Sequence, residues 1–268
     1  MNATKRLTLY VSSPDSYADV FDVFLRAFRK YWKDCPYEFV LTTNTNSYSN
    51  GIKCICNYKK GDTWTERTLA YLPQIESKYI LLMCDDLIIN RKVDNAQIEG
   101  VLDYMDNHKI RYCRLKPLPI GNAISEMPIL NRVNKQMPYA VDLQMGIFKK
   151  DYLLELLGNG SLSAWDIENK INVEASKNKD ESYEDIIGVN HAVISCVHGV
   201  YKGKWIHNAH SYIRKEYPNY QFSRPLLSFK YELKIMIVKN FNMLLSFRRR
   251  RKLKSLARIL GFYFATKY

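Results

Sequence analysis

Residues 79–83, Tyr-Ile-Leu-Leu-Met, form an unbroken apolar run that ends in Cys84-Asp85-Asp86. A strand without a polar side has to be buried on both faces. A sheet covered by helices on both sides supplies that environment, and ligands of such sheets bind outside the carboxyl ends of the strands. The rest of the chain has the matching alternation. Residues 7–11 read as a strand. Residues 17–31 set Val20, Phe21, Phe24, Leu25, Phe28 and Tyr31 on one helical face. Residues 37–42 and 52–56 read as strands around a polar loop at 43–50, and 64–75 as a helix capped by Asp62 or Thr63. Further on, 93–107, 150–157 and 165–175 read as helices, and 110–115, 140–148, 194–200 and 204–206 as strands. Residues 117–137, with Pro117, Pro119, Gly121 and Pro128, read as an irregular loop, and 176–183 as a charged one. The pattern predicts an α/β fold with a mostly parallel central sheet flanked by helices. Chemistry should gather after the first strand, at residues 12–17, and after the buried one, at 84–87.

Charge divides the chain. Residues 225–268 hold eleven Lys and Arg against the single acid Glu232, a net of +10 out of the chain's +13. The expected domains are therefore a nearly neutral body, 1–224, and a basic amphipathic helical tail, 225–268. In the tail Leu226, Phe229, Leu233, Ile237, Phe241 and Leu244 recur at helical spacing before Arg248, Arg249, Arg250 and Arg251. Basic residues beside aromatic and aliphatic ones suit an anionic membrane surface. A helix packed on the body is the close alternative. Nucleic acid is not an expected partner, because the body has no basic stripe and no nucleic-acid motif. No run of 18 apolar residues points to a membrane span, and residues 7–11 are too short a run for a secretory signal. The six cysteines, with no second pair at zinc-ligand spacing, are expected as reduced thiols of a cytoplasmic protein.

Four segments carry candidate chemistry. Adjacent carboxylates at a buried strand's end repel one another, and a hard cation such as Mg²⁺ or Mn²⁺ relieves that while gathering phosphate oxygens. Asp85 and Asp86 therefore either hold a metal-bound nucleotide diphosphate or form a solvated turn. After the first strand, in Ser13-Pro14-Asp15-Ser16-Tyr17, Asp15 either bonds a ribose or base edge or caps the first helix, and Tyr17 can stack on a base. No Gly-x-Gly-x-x-Gly or Gly-x-x-x-x-Gly-Lys-Ser/Thr motif is present, which argues against a dinucleotide cofactor and a P-loop ATPase. In Ser163-Ala-Trp-Asp-Ile-Glu168, Trp165 can stack on a sugar and Asp166 or Glu168 can take a proton from a sugar hydroxyl. The competing assignment is a helix start capped by Ser163. Lys202 and Lys204 can neutralise a diphosphate.

These segments resemble the bacterial GT-A-fold glycosyltransferases that build capsular polysaccharide and lipopolysaccharide O-antigen. The matching pieces run in order: Ser13-Pro-Asp-Ser-Tyr-Ala-Asp-Val20; Lys30-Tyr-Trp-Lys-Asp-Cys-Pro36 leading to Leu41-Thr-Thr-Asn44; Trp64 with Arg67; Tyr79-Ile-Leu-Leu-Met-Cys-Asp-Asp86; Gln144-Met-Gly-Ile-Phe148; and Ser163-Ala-Trp-Asp-Ile-Glu168. The resemblance spans about residues 7–206. It implies a GT-A (Rossmann-like) fold and transfer of a sugar from a nucleotide-diphosphate donor to a glycan acceptor carried on a lipid pyrophosphate. The enzyme would lie peripherally on the inner face of the cell membrane, and inversion is favoured over retention. Ser13, Asp15, Tyr17, Asn44, Trp64, Arg67, Asp85, Lys202 and Lys204 would bind the donor. Cys84 stands where the family's Asp-x-Asp has its first acid, so Asp86 takes the divalent cation (Mg²⁺ or Mn²⁺), with Asp85 beside it or on the donor. Asp166 or Glu168 would be the acceptor-side base, and Gln144 and Trp165 would bind the acceptor. The rivals are a nucleotidyltransferase, which should carry a basic Gly-rich phosphate loop where this chain has Ser12-Ser13-Pro14-Asp15, and a non-enzymatic basic adaptor.

Overall fold

The computed structural model describes residues 6–48, 52–56, 61–117, 122–133, 140–158, 160–177 and 185–244. The chain divides into two compact units, Met1–His198 and Gly199–Tyr268. The change in charge at residues 218–225 falls inside the second unit.

In chain order the first unit runs β1 (Leu7–Ser12), α1 (Ala18–Tyr31), β2 (Glu38–Thr42), β3 (Lys53–Ile55), α2 (Trp64–Tyr71), β4 (Tyr79–Met83), β5 (Leu87–Ile89) and α3 (Asn95–Asn107). It continues with β6 (Tyr112–Arg114), β7 (Asn122–Ile124), β8 (Met127–Arg132), β9 (Met145–Lys149), α4 (Lys150–Leu157), α5 (Ala164–Lys177), β10 (Ile186–Val189) and β11 (Cys196–His198). Nine strands form one sheet in the order β3-β2-β1-β4-β9-β6-β10-β8-β7. Every residue of β4 is buried, as its unbroken apolar run requires. Leu9 of β1 lies opposite both Phe39 of β2 and Leu81 of β4. On the Phe39 side, α1 covers the sheet with Phe21, Phe24 and Phe28 in ring contact with Phe39. On the other side Tyr10, Val40, Ile80, Leu82 and Phe148 share a core with Tyr71 of α2, Leu153 of α4 and Ile167 of α5. Strand alternation thus hands successive residues to opposite helical layers.

The sheet is mixed rather than mostly parallel. β1–β2, β1–β4, β2–β3 and β6–β10 are parallel, whereas β9 runs antiparallel to β4 and β6, and β8 antiparallel to β10 and β7. The strand expected over 140–148 begins only at Met145. Asp142 is the cause: its Oδ1 accepts from the Gln144 and Met145 amides at 3.2 and 3.4 Å, which turns the backbone before the strand can start. The helix expected over 64–75 ends at Tyr71 and tightens into a 3₁₀ turn, Leu72–Gln74, because Pro73 supplies no amide hydrogen. The loop expected over 117–137 contains β7 and β8. Pro128 suggested a loop, but the β8 residues paired with β10 are Leu130, Asn131 and Arg132, so the proline breaks no bond of that ladder. β10 is a strand the sequence pattern did not suggest.

The second unit opens on a hairpin, β12 (Val200–Tyr201) and β13 (Lys204–Trp205), followed by α6 (His207–Glu216) and α7 (Phe229–Leu244). Lys202 and Gly203 form the two-residue turn, both at positive φ, 50° and 73°, as a primed hairpin turn demands. Trp205 is fully buried and meets Tyr220 and Phe222 edge-on. On α7, Phe229, Leu233 and Met236 are exposed between Lys230 and Lys234. No helix among the described residues is long and apolar enough to cross a membrane. Arg248, Arg249, Arg250 and Arg251 lie outside the described residues.

One close approach fixes the middle of the sheet. The Tyr112 ring lies over Gly146, where an added Cβ would come within 2.6 Å of Tyr112 Cε2. The Tyr112 hydroxyl both donates to the Asp142 carbonyl and accepts from the Asp142 amide, each at 3.2 Å. Tyr112 is fully buried and has nowhere to swing. Gly146→Ala should therefore lower unfolding free energy by about 1–3 kcal/mol. Urea denaturation checks this, and an unchanged midpoint would show that the ring is not held over Gly146.

Candidate active site

Strand order reverses at β1. The chain builds β2 and β3 to one side, then crosses to lay β4 on the other. A crevice opens outside the carboxyl ends of strands at such a switch point. Ser13 and Asp85 leave β1 and β4 there, and Ser13 Oγ donates to Asp85 Oδ2 at 2.6 Å. Both are buried, Asp85 at 7% exposure. The two segments expected to gather chemistry are thus in direct contact.

Asp15 sits in a 3₁₀ turn, Asp15–Tyr17, and faces the loop after β2. Its carboxylate accepts from the amides of Asn44 at 3.0 Å, Thr45 at 3.0 and 3.1 Å and Asn46 at 3.2 Å, and from the Thr45 hydroxyl. The Asp15 amide donates to Asn44 Oδ1 at 3.2 Å. Burial pushes this carboxyl up, but the bonds from Thr45, Asn46 and Asn44 outweigh it and hold the group below its ordinary range. Asp15 is a clamp between two strand-end loops. It makes no helix-capping side-chain bond, and Tyr17 ends the same turn.

Asp86 Oδ2 lies 2.9 Å from Nε2 of His198, which β11 brings alongside β5. Asp86 keeps 17% of its side chain exposed and His198 45%. The Cys84 thiol is pushed well up by burial first, then by Asp86, Asp85, Glu168 and Asp142. Four carboxylates therefore surround the residue between β4 and the doublet. The Cys196 thiol is raised too, by burial and then Asp86, with Lys116 opposing.

The other wall is the segment entering β9. The Gln144 carbonyl accepts from the Cys84 amide at 2.9 Å. Asp142 pairs with Arg114 at 2.5 Å, and both are nearly excluded from solvent. The Leu143 amide donates to Glu168 Oε1 at 2.8 Å. Glu168 is 7% exposed. Burial chiefly drives its carboxyl up to about 7; the Leu143 amide opposes, Asp142 adds to the rise, and Lys116 and Arg114 oppose. A carboxyl poised near neutrality beside a crevice is suited to accept a proton. Lys116 Nζ donates to Gln144 Oε1 at 2.6 Å.

Asp166 plays a different part. Ser163 Oγ donates to Asp166 Oδ2 at 2.5 Å, and the Asp166 amide donates back to Ser163 Oγ at 3.2 Å, which caps α5. Trp165, one residue before Asp166, is 52% exposed. Trp64 packs against the core from the start of α2, and buried Arg67 donates to the Asp62 carbonyl at 2.7 Å. The start of α2 docks on the segment entering α5 through Thr65 N to Leu162 O at 3.2 Å and Ser161 Oγ to Glu66 at 2.8 Å. Lys202 and Lys204 belong to the second unit, where Lys202 Nζ bonds the Tyr231 hydroxyl at 3.2 Å and Lys204 is exposed.

Sequence reasoning missed Arg114, Lys116, Asp142 and His198. A signal existed for Arg114 and Asp142. Each is a charge inside an apolar run, and a charge buried there needs a partner. Nothing local marks His198, because its meeting with Asp86 depends on β11 pairing with β5.

No protein-family model matches the sequence, and no curated protein matches it. Among solved structures the chain is similar to S. aureus TarS 1–349 (TM-score 0.43, 13% identity, 69% of this chain and 60% of that one). It is similar to the mannosyltransferase PcManGT from Pyrobaculum calidifontis in complex with GDP-Man and Mn²⁺ (0.44, 12%, 78% and 60%). It is also similar to 2-C-methyl-D-erythritol 4-phosphate cytidylyltransferase from Thermus thermophilus (0.37, 13%, 61% and 83%). The matched region thus spans about 60% of each of the first two chains, and 37% of the longer S. aureus TarS chain. These are loose likenesses, and the chemistry of the site rests on its own residues.

Glu168 yields a prediction with a defined sign. Its carboxyl is raised from 4.5 to about 7 in the folded protein. Between those values the folded chain holds a proton that the unfolded chain has shed, so this group's contribution to stability falls as pH rises through the window. Glu168→Gln removes the burial cost. The variant should be more stable than wild type at pH 8, by up to about 3 kcal/mol, with the advantage shrinking at pH 5. Urea unfolding at the two pH values tests this; a variant less stable than wild type at pH 8 would show that the carboxylate is well satisfied where it lies.

Proposed function

We propose that the chain is a GT-A-type glycosyltransferase that moves a sugar from a nucleotide-diphosphate donor to a hydroxyl of a glycan acceptor in cell-surface polysaccharide synthesis. The observation that carries this reading is the Ser13–Asp85 contact at the β1/β4 switch point, with Glu168, raised to about 7, behind the same strand end. The donor's nucleoside would lie between the Asp15 clamp and Tyr17, its ribose or sugar hydroxyls toward Asp85.

Asp86 is the residue that would hold a divalent cation through its carboxylate oxygens; its Oδ2 lies 2.9 Å from His198 Nε2, and among the described residues no group of three His, Cys, Asp or Glu gathers as a metal site. When bound, the cation offsets charge on the departing diphosphate. Glu168 takes the acceptor's proton, and the freed oxygen attacks the anomeric carbon as the bond from that carbon to the phosphate oxygen breaks. Trp165, exposed at the start of α5, offers the acceptor sugar a stacking face.

The exposed stripe of Phe229, Leu233 and Met236, flanked by Lys230 and Lys234, supports docking of α7 on an anionic bilayer surface. That docking suits a lipid-linked acceptor. Replacing the three apolar residues with Ser should lower cosedimentation with vesicles containing phosphatidylglycerol. Undiminished sedimentation would remove this face from the membrane.

For the donor, UDP- and GDP-sugars are the probes. With at least one of them, at about a hundred times its Kd, the melting temperature should rise by about 5 °C or more. Mn²⁺ should enlarge the rise, and Asp86→Asn should remove the enlargement. Turnover should release a nucleoside diphosphate. Release of pyrophosphate from a nucleoside triphosphate would instead make the chain a nucleotidyltransferase.

A further inference from the structure

The acidic rim contains one cation that its neighbours leave uncancelled. β9 is antiparallel to both β4 and β6, so β6 runs with β4 and their carboxyl ends share a rim. Lys116 follows β6 there. Its ammonium is held at 2.6 Å by a neutral acceptor, Gln144 Oε1. The backbone of Gln144 is itself tied to Cys84, the residue before the Asp85-Asp86 doublet, at 2.9 Å. Arg114, two residues earlier, is neutralised by Asp142. Among the described residues no carboxylate lies in ion-pair contact with Lys116. Its charge nevertheless reaches both walls of the crevice, since it bears on Glu168 at one side and on Cys196, beside Asp86, at the other. A half-buried ammonium fixed by an amide in this way is a preformed anion partner.

We propose that Lys116 binds the diphosphate of the donor, with Gln144 as the positioning residue that holds its head group, and that Lys116 rather than Lys202 or Lys204 receives the negative charge of the departing phosphate. This rests on the transferase reading of the site. When the anomeric carbon–oxygen bond breaks, its electron pair goes to the phosphate oxygen, and the Lys116 ammonium then stands opposite a dianion or trianion. Gln144, assigned to the acceptor from the sequence, serves the donor side in this arrangement.

The test is titration calorimetry of the full chain with UDP and GDP and with the matching nucleosides, uridine and guanosine. Lys116→Met should weaken the preferred diphosphate by about ten- to a hundredfold and leave its nucleoside unchanged. Lys116→Arg, which keeps the charge, should retain diphosphate affinity within a few-fold. A Lys116→Met variant that binds the diphosphate as well as wild type, or loses nucleoside and diphosphate equally, would overturn the assignment alone. Wild-type protein that binds no nucleoside diphosphate would overturn the transferase reading, and Lys116 with it.

Discussion

A carboxylate at the end of a fully buried strand has to be satisfied where it emerges, and the rest of the site is arranged around how Asp85 meets that demand. Its partner is the Ser13 hydroxyl, 2.6 Å away across the fork between β1 and β4. Ser13 is held in turn, because its amide donates to the Thr42 carbonyl at 2.9 Å at the end of β2. Asp15 then pins the loop after β2 through three amides and a hydroxyl. Three strand ends are therefore joined, and at the buried Ser13–Asp85 contact the alternative would be an unpaired buried group, an expensive state. The crevice is preorganised because its walls are tied to one another.

The same rim separates carboxyl groups by environment. Asp142 and Glu168 are both nearly excluded from water, yet they meet different partners. Asp142 faces the Arg114 guanidinium at 2.5 Å and gives its Oδ1 to two backbone amides. Glu168 has the Leu143 amide and only the more distant fields of Lys116 and Arg114 to offset its burial. The ion pair and two amides engage Asp142 in shaping the loop before β9, whereas Glu168, raised to about 7, can exchange a proton near neutrality. The two acids are thus partnered differently. Here a single turn of backbone does it, since Leu143, which serves Glu168, directly follows Asp142.

Much of this was legible in the sequence, and the limits are instructive. The apolar run at 79–83 predicted a strand covered on both faces, and β4 is buried throughout, with Asp85 at its end in contact with Ser13. Asp166 and Glu168 could not be ranked from their own segment. Residues two apart on a helix face nearly opposite ways, so one points inward and the other outward, and docking decides which. The Ser163-x-x-Asp166 spacing was the usable clue, because it spends Asp166 on the cap. The strand expected over 140–148 is found only from Met145, because the turn before it is made by one buried side chain, Asp142, and its antiparallel direction is not written in its own residues. His198 depends on a strand pairing between residues more than a hundred positions apart, which no local pattern records.

Charge at the rim explains why cations matter to this site. Asp85, Asp86, Asp142 and Glu168 all lie close enough to act on Cys84, and against them stand Arg114, already paired with Asp142, and Lys116. A diphosphate entering such a crevice meets like charge, and at the low effective dielectric of a buried rim that repulsion is not screened as it would be in water. Binding therefore needs positive charge from within the site or carried into it. In the transferase reading proposed above, Lys116 and a cation at Asp86 would supply it, while a proton on Glu168 would remove one negative charge before the acceptor arrives. Donor binding and base activation then pull in opposite directions. The protonated acid favours the incoming phosphates, and the ionised acid is the one that can take the acceptor's proton. In that reading a carboxyl poised near neutrality, as burial leaves Glu168, would serve both steps.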